Sequence, residues 1–175
     1  MMIIKNKAIV NDDWTVLRLA ENEAPENVTV PAGKVIVPLK VWCAQREKLQ
    51  DRDDLGVWFA SDERPEALKD DIGKFTVIAV DFPKFGDGRG YSIAYYLRAR
   101  FGYAGELRAI GDVLRDQMFY MQRVGFDAFA PRPDRNIQDA LKGLNDFSEA
   151  YQAAVDQKSP LFRRVQRNEN TSADL

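Results

Sequence analysis

Thr76-Val-Ile-Ala-Val-Asp-Phe-Pro-Lys-Phe-Gly-Asp-Gly-Arg-Gly-Tyr-Ser-Ile-Ala-Tyr-Tyr-Leu-Arg-Ala-Arg-Phe101 is the stretch from which the fold is read. Thr76–Asp81 is a short apolar run of strand length. Asp81–Gly90 is a glycine-rich turn. Tyr91–Phe101 carries Ile93, Ala94, Leu97 and Phe101 at helical spacing. Strand, glycine turn, helix is the local pattern at which open α/β proteins place ligands.

The same rhythm extends to both sides. Leu55–Ala60 reads as a strand, and Ser61-Asp62 reads as the cap of a helix over Glu63–Ile72. Downstream, Gly105–Ile110 reads as a third strand. Asp112 then caps a helix whose stripe is Leu114, Met118, Met121 and Val124. Phe126–Ala130 is a fourth strand, halted by Pro131 and Pro133. Asn136 or Asp134 caps a last helix with the stripe Ile137, Leu141, Leu144, Phe147, Tyr151 and Ala154. Four β-α steps imply parallel strands joined by right-handed crossovers, as a doubly wound sheet or a curved half-barrel. Both arrangements bring the strand ends, with Ser61-Asp62, Asp81–Gly90, Gly111-Asp112 and Pro131-Arg132, to one rim.

The first 37 residues read as short strands in a hairpin or meander: Ile3, Ile4, Ile9 and Val10 around Lys5-Asn-Lys7, then Trp14–Leu17 after the turn Asn11-Asp-Asp13. Lys34–Val37 is a strand, and Pro38 opens a helix to residue 50 with Leu39, Trp42, Cys43, Arg46 and Leu49 on its apolar side. Cys43 is expected there as a buried, inert thiol. The organisation expected is one α/β domain over 1–157, with β segments at 1–37, a β-α core at 55–132 and a helix at 134–157. A polar tail containing Arg163, Arg164 and Arg167 follows at 158–175.

The 175 residues are 45% hydrophobic and 30% charged, with a net charge of −2. That balance points away from nucleic acid, no apolar run is long enough to span a bilayer, and the N-terminus lacks a signal-peptide core. The expected location is cytoplasmic. There is no histidine and only one cysteine. Histidine triads, histidine metal sites, internal disulfides and CxxC pairs are excluded within the chain. Electrons, if the protein handles them, are carried by a cofactor or a partner.

Gly86-Asp-Gly-Arg-Gly90 is neither a Walker motif nor GxGxxG, so no cofactor is assigned and an independent flavin or nicotinamide reductase ranks third among the readings. The turn still offers backbone N–H groups and the Arg89 fork to a phosphate, sulfate or carboxylate. Equally, its glycines can serve the backbone alone, with Arg89 paired to Asp87 or Asp81. In Gly105–Asp112, alternation puts Glu106 and Arg108 on one face, where Arg108 can pair with Asp81. The candidate ligand site is Asp81, Lys84, Asp87, Gly88, Arg89, Gly90, Arg108 and Asp112. Asp81, Asp87 and Asp112 could instead coordinate a hard cation such as magnesium through oxygen, but Asp112 is already accounted for as a helix cap, and no metal is assigned. On the helix Leu114–Val124, Phe119 and Tyr120 exceed what the apolar stripe needs, so this face is either a solvated exterior or a partner surface.

Phe82-Pro-Lys-Phe-x-Asp-Gly-Arg-Gly-Tyr-Ser92, Leu97-Arg98, Gly102-Tyr-x-Gly-Glu-Leu-Arg108, Gly111-Asp-Val-Leu-Arg-Asp-Gln117 and Gly125-Phe-Asp127, with Val37-Pro-Leu39, Trp42 and Leu55-Gly56, resemble a bacterial family known as domain of unknown function 934. The resemblance runs over about residues 3–132. Members are commonly encoded beside sulfite reductase and the enzymes that reduce activated sulfate, and are labelled oxidoreductases of sulfite reduction on that ground. The resemblance implies an accessory factor of assimilatory sulfate and sulfite reduction, with sulfite reductase or its electron donor as partner. It supplies no catalytic residues. The other reading is a small enzyme or sensor holding an anionic ligand at the rim, with Asp81, Asp87 or Asp112 as acid or base and Arg89 and Arg108 stabilising charge.

Overall fold

The computed structural model describes residues 1–84, 86–145 and 152–160. β1 (Met2–Lys5) and β2 (Ala8–Asn11) form an antiparallel hairpin. Its two-residue turn holds Asn6 and Lys7 at φ 49° and 62°, the left-handed pair that matches strand twist. β3 (Thr15–Val16), β4 (Val35–Pro38), α1 (Leu39–Leu49), β5 (Leu55–Phe59), β6 (Val77–Phe82), α2 (Arg89–Tyr95), β7 (Glu106–Gly111), α3 (Arg115–Val124), β8 (Ala128–Phe129) and α4 (Ile137–Gly143) follow.

These strands make one sheet in the order β2-β1-β8-β7-β6-β5-β4-β3. From β3 to β8 all neighbours are parallel, and β1 joins β8 antiparallel. The order from β3 to β8 follows the chain without reversal. A doubly wound sheet needs a reversal to put helices on both faces, so the curved half-barrel is the arrangement realised. Val37, Val57, Phe59, Ile78, Val80 and Leu107 meet the helices in one large core. Ile36, Val77, Ala79 and Ile110 face the other way in a small second cluster, packed by Trp14, Val16, Trp58 and Ala130. The pairing register stacks this inner face in layers: Gly56, Val77 and Glu106, then Trp58, Ala79, Arg108 and Ala128, then Asp81 and Ile110. β2 and β3 lie at opposite edges, so Asp12–Trp14 crosses the inner face between them.

Five local expectations change. Residues 63–72 form two 3-10 turns, Pro65–Leu68 and Ile72–Lys74, instead of one helix. The chain bends here to bury Asp71, which accepts from the Trp42 indole at 3.2 Å and Arg46 at 2.6 Å. Ser61 and Asp62 cap nothing; the Glu63 carboxylate instead accepts from the Ala60 N–H at 2.7 Å. Asp112 is not a helix cap, because α3 starts three residues later after an extended Leu114. Cys43 is exposed, since α1 turns Leu39, Trp42, Gln45 and Leu49 inward. Asn136 does cap α4, accepting from the N–H groups of Gln138 and Asp139. That helix ends at Gly143, and residues 152–160 are irregular. Phe147, Tyr151 and the tail arginines lie outside the described residues. Among those described, no helix is long and apolar enough to cross a membrane.

Candidate functional site

The glycine turn enters α2 at the end of β6, at the rim. Its Arg89 donates to both carboxylate oxygens of Asp87 at 3.0 and 2.8 Å, and to the Ser61 hydroxyl at 2.9 Å. These bonds hold the Asp87 carboxyl well below the usual range. The Arg89 side chain is still 62% exposed and borders an open cleft of about 430 Å³ with Ser61, Glu63, Pro65, Ile93 and Tyr96. Burial pushes the Glu63 carboxyl in this cleft upward. Gly86 and Gly88 face open space, whereas a Cβ on Gly90 would lie 2.7 Å from Phe82 Cζ. Gly90 therefore serves the seating of α2 on β6. The Lys84 carbonyl accepts from the Asp87 N–H at 3.1 Å, and Lys84 itself is exposed.

Arg108 and Asp81 share the inner face but do not pair. Arg108 is 2% exposed and donates to Asp12 at 2.9 and 3.1 Å and to Glu106 at 2.7 Å. Lys5 completes the cluster with a 2.7 Å contact to Glu106. Two cations and two carboxylates thus neutralise one another beneath the crossing segment, as a buried charge requires. Asp81 instead accepts from Arg18 Nη2 at 2.8 Å. A Cβ on Gly111 would lie 2.6 Å from Asp81 Oδ1 and 2.5 Å from the Phe82 carbonyl, and its φ is +88°, so only glycine fits there. Asp112 accepts from Arg132 at 3.2 Å. Asp81, Asp87 and Asp112 consequently do not converge on a common centre, and the described residues contain no group of three metal-ligating side chains.

The sequence puts Ser61 and Arg132 at the rim without a role, and gives no place there to Asp12, Arg18 and Trp58. Arg18 had a visible signal: in Leu17-Arg18-Leu19 a charge interrupts apolar residues just after a strand. Asp12 had none, because Asn11-Asp12-Asp13 is also a good turn.

A second knot lies at the opposite end of β7 and β8. Arg98 donates to the carbonyls of Gly125, Tyr103 and Gly105 at 2.9, 2.7 and 2.8 Å and contacts Asp127 at 3.2 Å. Asp127 accepts from the Leu107 N–H at 2.8 Å, and burial raises its carboxyl pKa. Motif residues at this end of a βα barrel read as stability rather than chemistry.

The model of a family of bacterial proteins of unknown function, DUF934, matches residues 56–162. This span holds β5 to β8 with the glycine turn, and leaves out the hairpin, the crossing segment and α1. No curated protein and no solved structure matches the chain.

Proposed function

We propose a function for this chain, which belongs to the bacterial DUF934 family of unknown function: it is an accessory protein of assimilatory sulfate and sulfite reduction that works by binding a reductase or its electron donor. The pathway enters through the resemblance alone. The observation that carries the binding role is aromatic exposure on the helical layer. Tyr95 is 48% exposed, Tyr96 39% and Tyr120 61%, on α2, the π turn Tyr96–Arg100 that prolongs it, and α3, which packs against α2. Phe119 stacks edge-on to Tyr120, while Met118 and Met121 are buried. The helix is amphipathic with aromatics to spare, the composition that anchors protein contacts. Cys43 is not poised as an activated thiol. Desolvation and the charges of Glu63 and Asp71 push its thiol up, away from the reactive thiolate. Adding the protein to purified sulfite reductase is expected to change its turnover of sulfite, and the Tyr96→Ser/Tyr120→Ser variant to abolish that change. Identical turnover with and without the protein, with either electron donor, sinks the reading.

A second reading keeps a small anionic ligand at the rim of Asp81, Lys84, Asp87, Gly88, Arg89, Gly90, Arg108 and Asp112. The exposed Arg89 side chain beside the Ser61 cleft favours it, the ligand taking the place of Asp87 on the guanidinium. Sulfite, sulfate, phosphate or adenylylated sulfate should then raise the melting temperature of wild type but not of Arg89→Ala. An equal rise in both would remove Arg89 from the site.

A further inference from the structure

The inner face of the sheet holds a hollow of about 650 Å³ that opens between the crossing segment and the ends of β7 and β8, bordered by Trp14, Thr15, Arg18, Ile110, Pro131 and Pro133. We propose that this hollow binds a small amphipathic anion, an oxyanion carried on an aromatic body, with Arg18 as the anion-binding residue.

Arg18 differs from the other arginines near the rim in how it is held. Arg89 and Arg108 each give two bonds to one carboxylate, and Arg132 does the same with Asp134 at 3.0 and 2.9 Å. Their forks are occupied. Among the described residues, Arg18 spends a single N–H on Asp81, at 2.8 Å, out of the five a guanidinium carries. Its side chain is half-exposed.

It is nevertheless fixed in place. The guanidinium lies over the Trp58 ring at 5.2 Å, and the Trp58 indole is tied to the Leu17 carbonyl at 2.9 Å. Asp81 is buried and backed by the close approach of Gly111. A held guanidinium with open donors is suited to two-point recognition of a carboxylate or phosphate.

The rest of the hollow selects the body of the ligand. Trp14, Val16, Ile110, Ala130, Pro131 and Pro133 make its wall largely apolar. Its charged members are already neutralised: Arg108 by Asp12 and Glu106, Asp13 by Lys34 at 2.6 Å. A small, strongly hydrated anion such as sulfate would meet one arginine and a dry wall. An aromatic anion would fill both. The volume falls in the ordinary range for small-molecule sites, and the position, at the C-terminal ends of half-barrel strands, is where βα barrels bind ligands.

The test is a calorimetric and tryptophan-fluorescence titration of the full chain with phenyl phosphate, benzoate, inorganic phosphate and benzyl alcohol. At least one aromatic anion should bind and shift the emission of Trp14, and inorganic phosphate and benzyl alcohol should bind at least about tenfold more weakly. Phenyl phosphate against benzoate tells which oxyanion is preferred. Arg18→Gln should lose about tenfold or more in affinity, Arg18→Lys should lose less while keeping the charge beside Asp81, and Trp14→Phe should remove most of the emission change with calorimetric binding retained. The same titrations in the Arg89→Ala background remove any contribution of the Ser61 cleft, so a loss on Arg18→Gln in that background reports this hollow alone. Equal affinity in wild type and Arg18→Gln overturns the proposal. So does inorganic phosphate binding as tightly as phenyl phosphate, or no binding of either aromatic anion at about 10 mM.

Discussion

Arg108 is almost wholly enclosed with Asp12, Glu106 and Lys5, and two of its bonds go to a residue 96 positions away. Removing the guanidinium leaves two buried carboxylates short of a partner. Arg108→Ala should therefore cost about 3–5 kcal/mol in urea unfolding, whereas Arg18→Gln, at a half-exposed pair, should cost no more than about 1 kcal/mol. Asp71 gives a pH signature. Burial works to raise its carboxyl pKa, but bonds from Trp42 and Arg46, with Lys74 nearby, outweigh it and hold the group below its usual value. Stability from such a group is complete above the unfolded pKa, near about 4, and is lost as pH falls through the folded value. Asp71→Asn should be less stable than wild type at neutral pH by about 1–3 kcal/mol, with the gap closing as the pH is lowered below about 4. A gap that stays constant in acid would assign the effect to packing. At this scale the sequence was legible only for near neighbours. Asp87 and Arg89 pair two residues apart, as their spacing suggested. Alternation correctly put Glu106, Arg108 and Asp81 on one face, yet it carries no information on which distant residue competes for each charge: Asp12 of the crossing segment takes Arg108, and Arg18, just after β3, takes Asp81.

The element that joins β6 to α2 shows how glycines divide between packing and access. Gly90 sits against the ring of Phe82, which is itself wedged between Tyr91 and Phe126 at centroid distances of 5.5 and 5.8 Å. The ring has little room to yield to a new methyl group. Gly90→Ala should lower stability by about 1–3 kcal/mol, and Gly88→Ala, in open space, should change it by no more than about 0.5 kcal/mol; matching losses would refute this division. The strand–turn–helix succession was readable because short apolar runs and glycine turns are local signals. The segment 63–72 was not, since its helical spacing gave way to one long-range demand, the burial of Asp71 against Trp42 and Arg46. The Ser61 cleft is built partly from that unforeseen bend.

At the scale of the whole molecule, β5, β6 and β7 are flanked by paired strands on both sides, while β2 and β3 are edges. Amide hydrogen exchange should be slowest in β5, β6 and β7 and fastest in β2 and β3; fast exchange in β7 would contradict the central place given to Arg108. The β-α count foretold an α/β sheet, and the choice of a half-barrel over a doubly wound sheet came only with strand order, which depends on how crossovers stack rather than on any one residue. One layer of this molecule presents Tyr95, Tyr96 and Tyr120 outward, and this exposure is what supports the proposed binding role. The most direct test is sedimentation velocity of the purified protein mixed with sulfite reductase and, separately, with its electron donor. The account expects a complex with one of them, weakened about tenfold or more by Tyr96→Ser/Tyr120→Ser and unaffected by Arg89→Ala. No complex with either at about 100 μM, or a complex indifferent to both tyrosines, would contradict it.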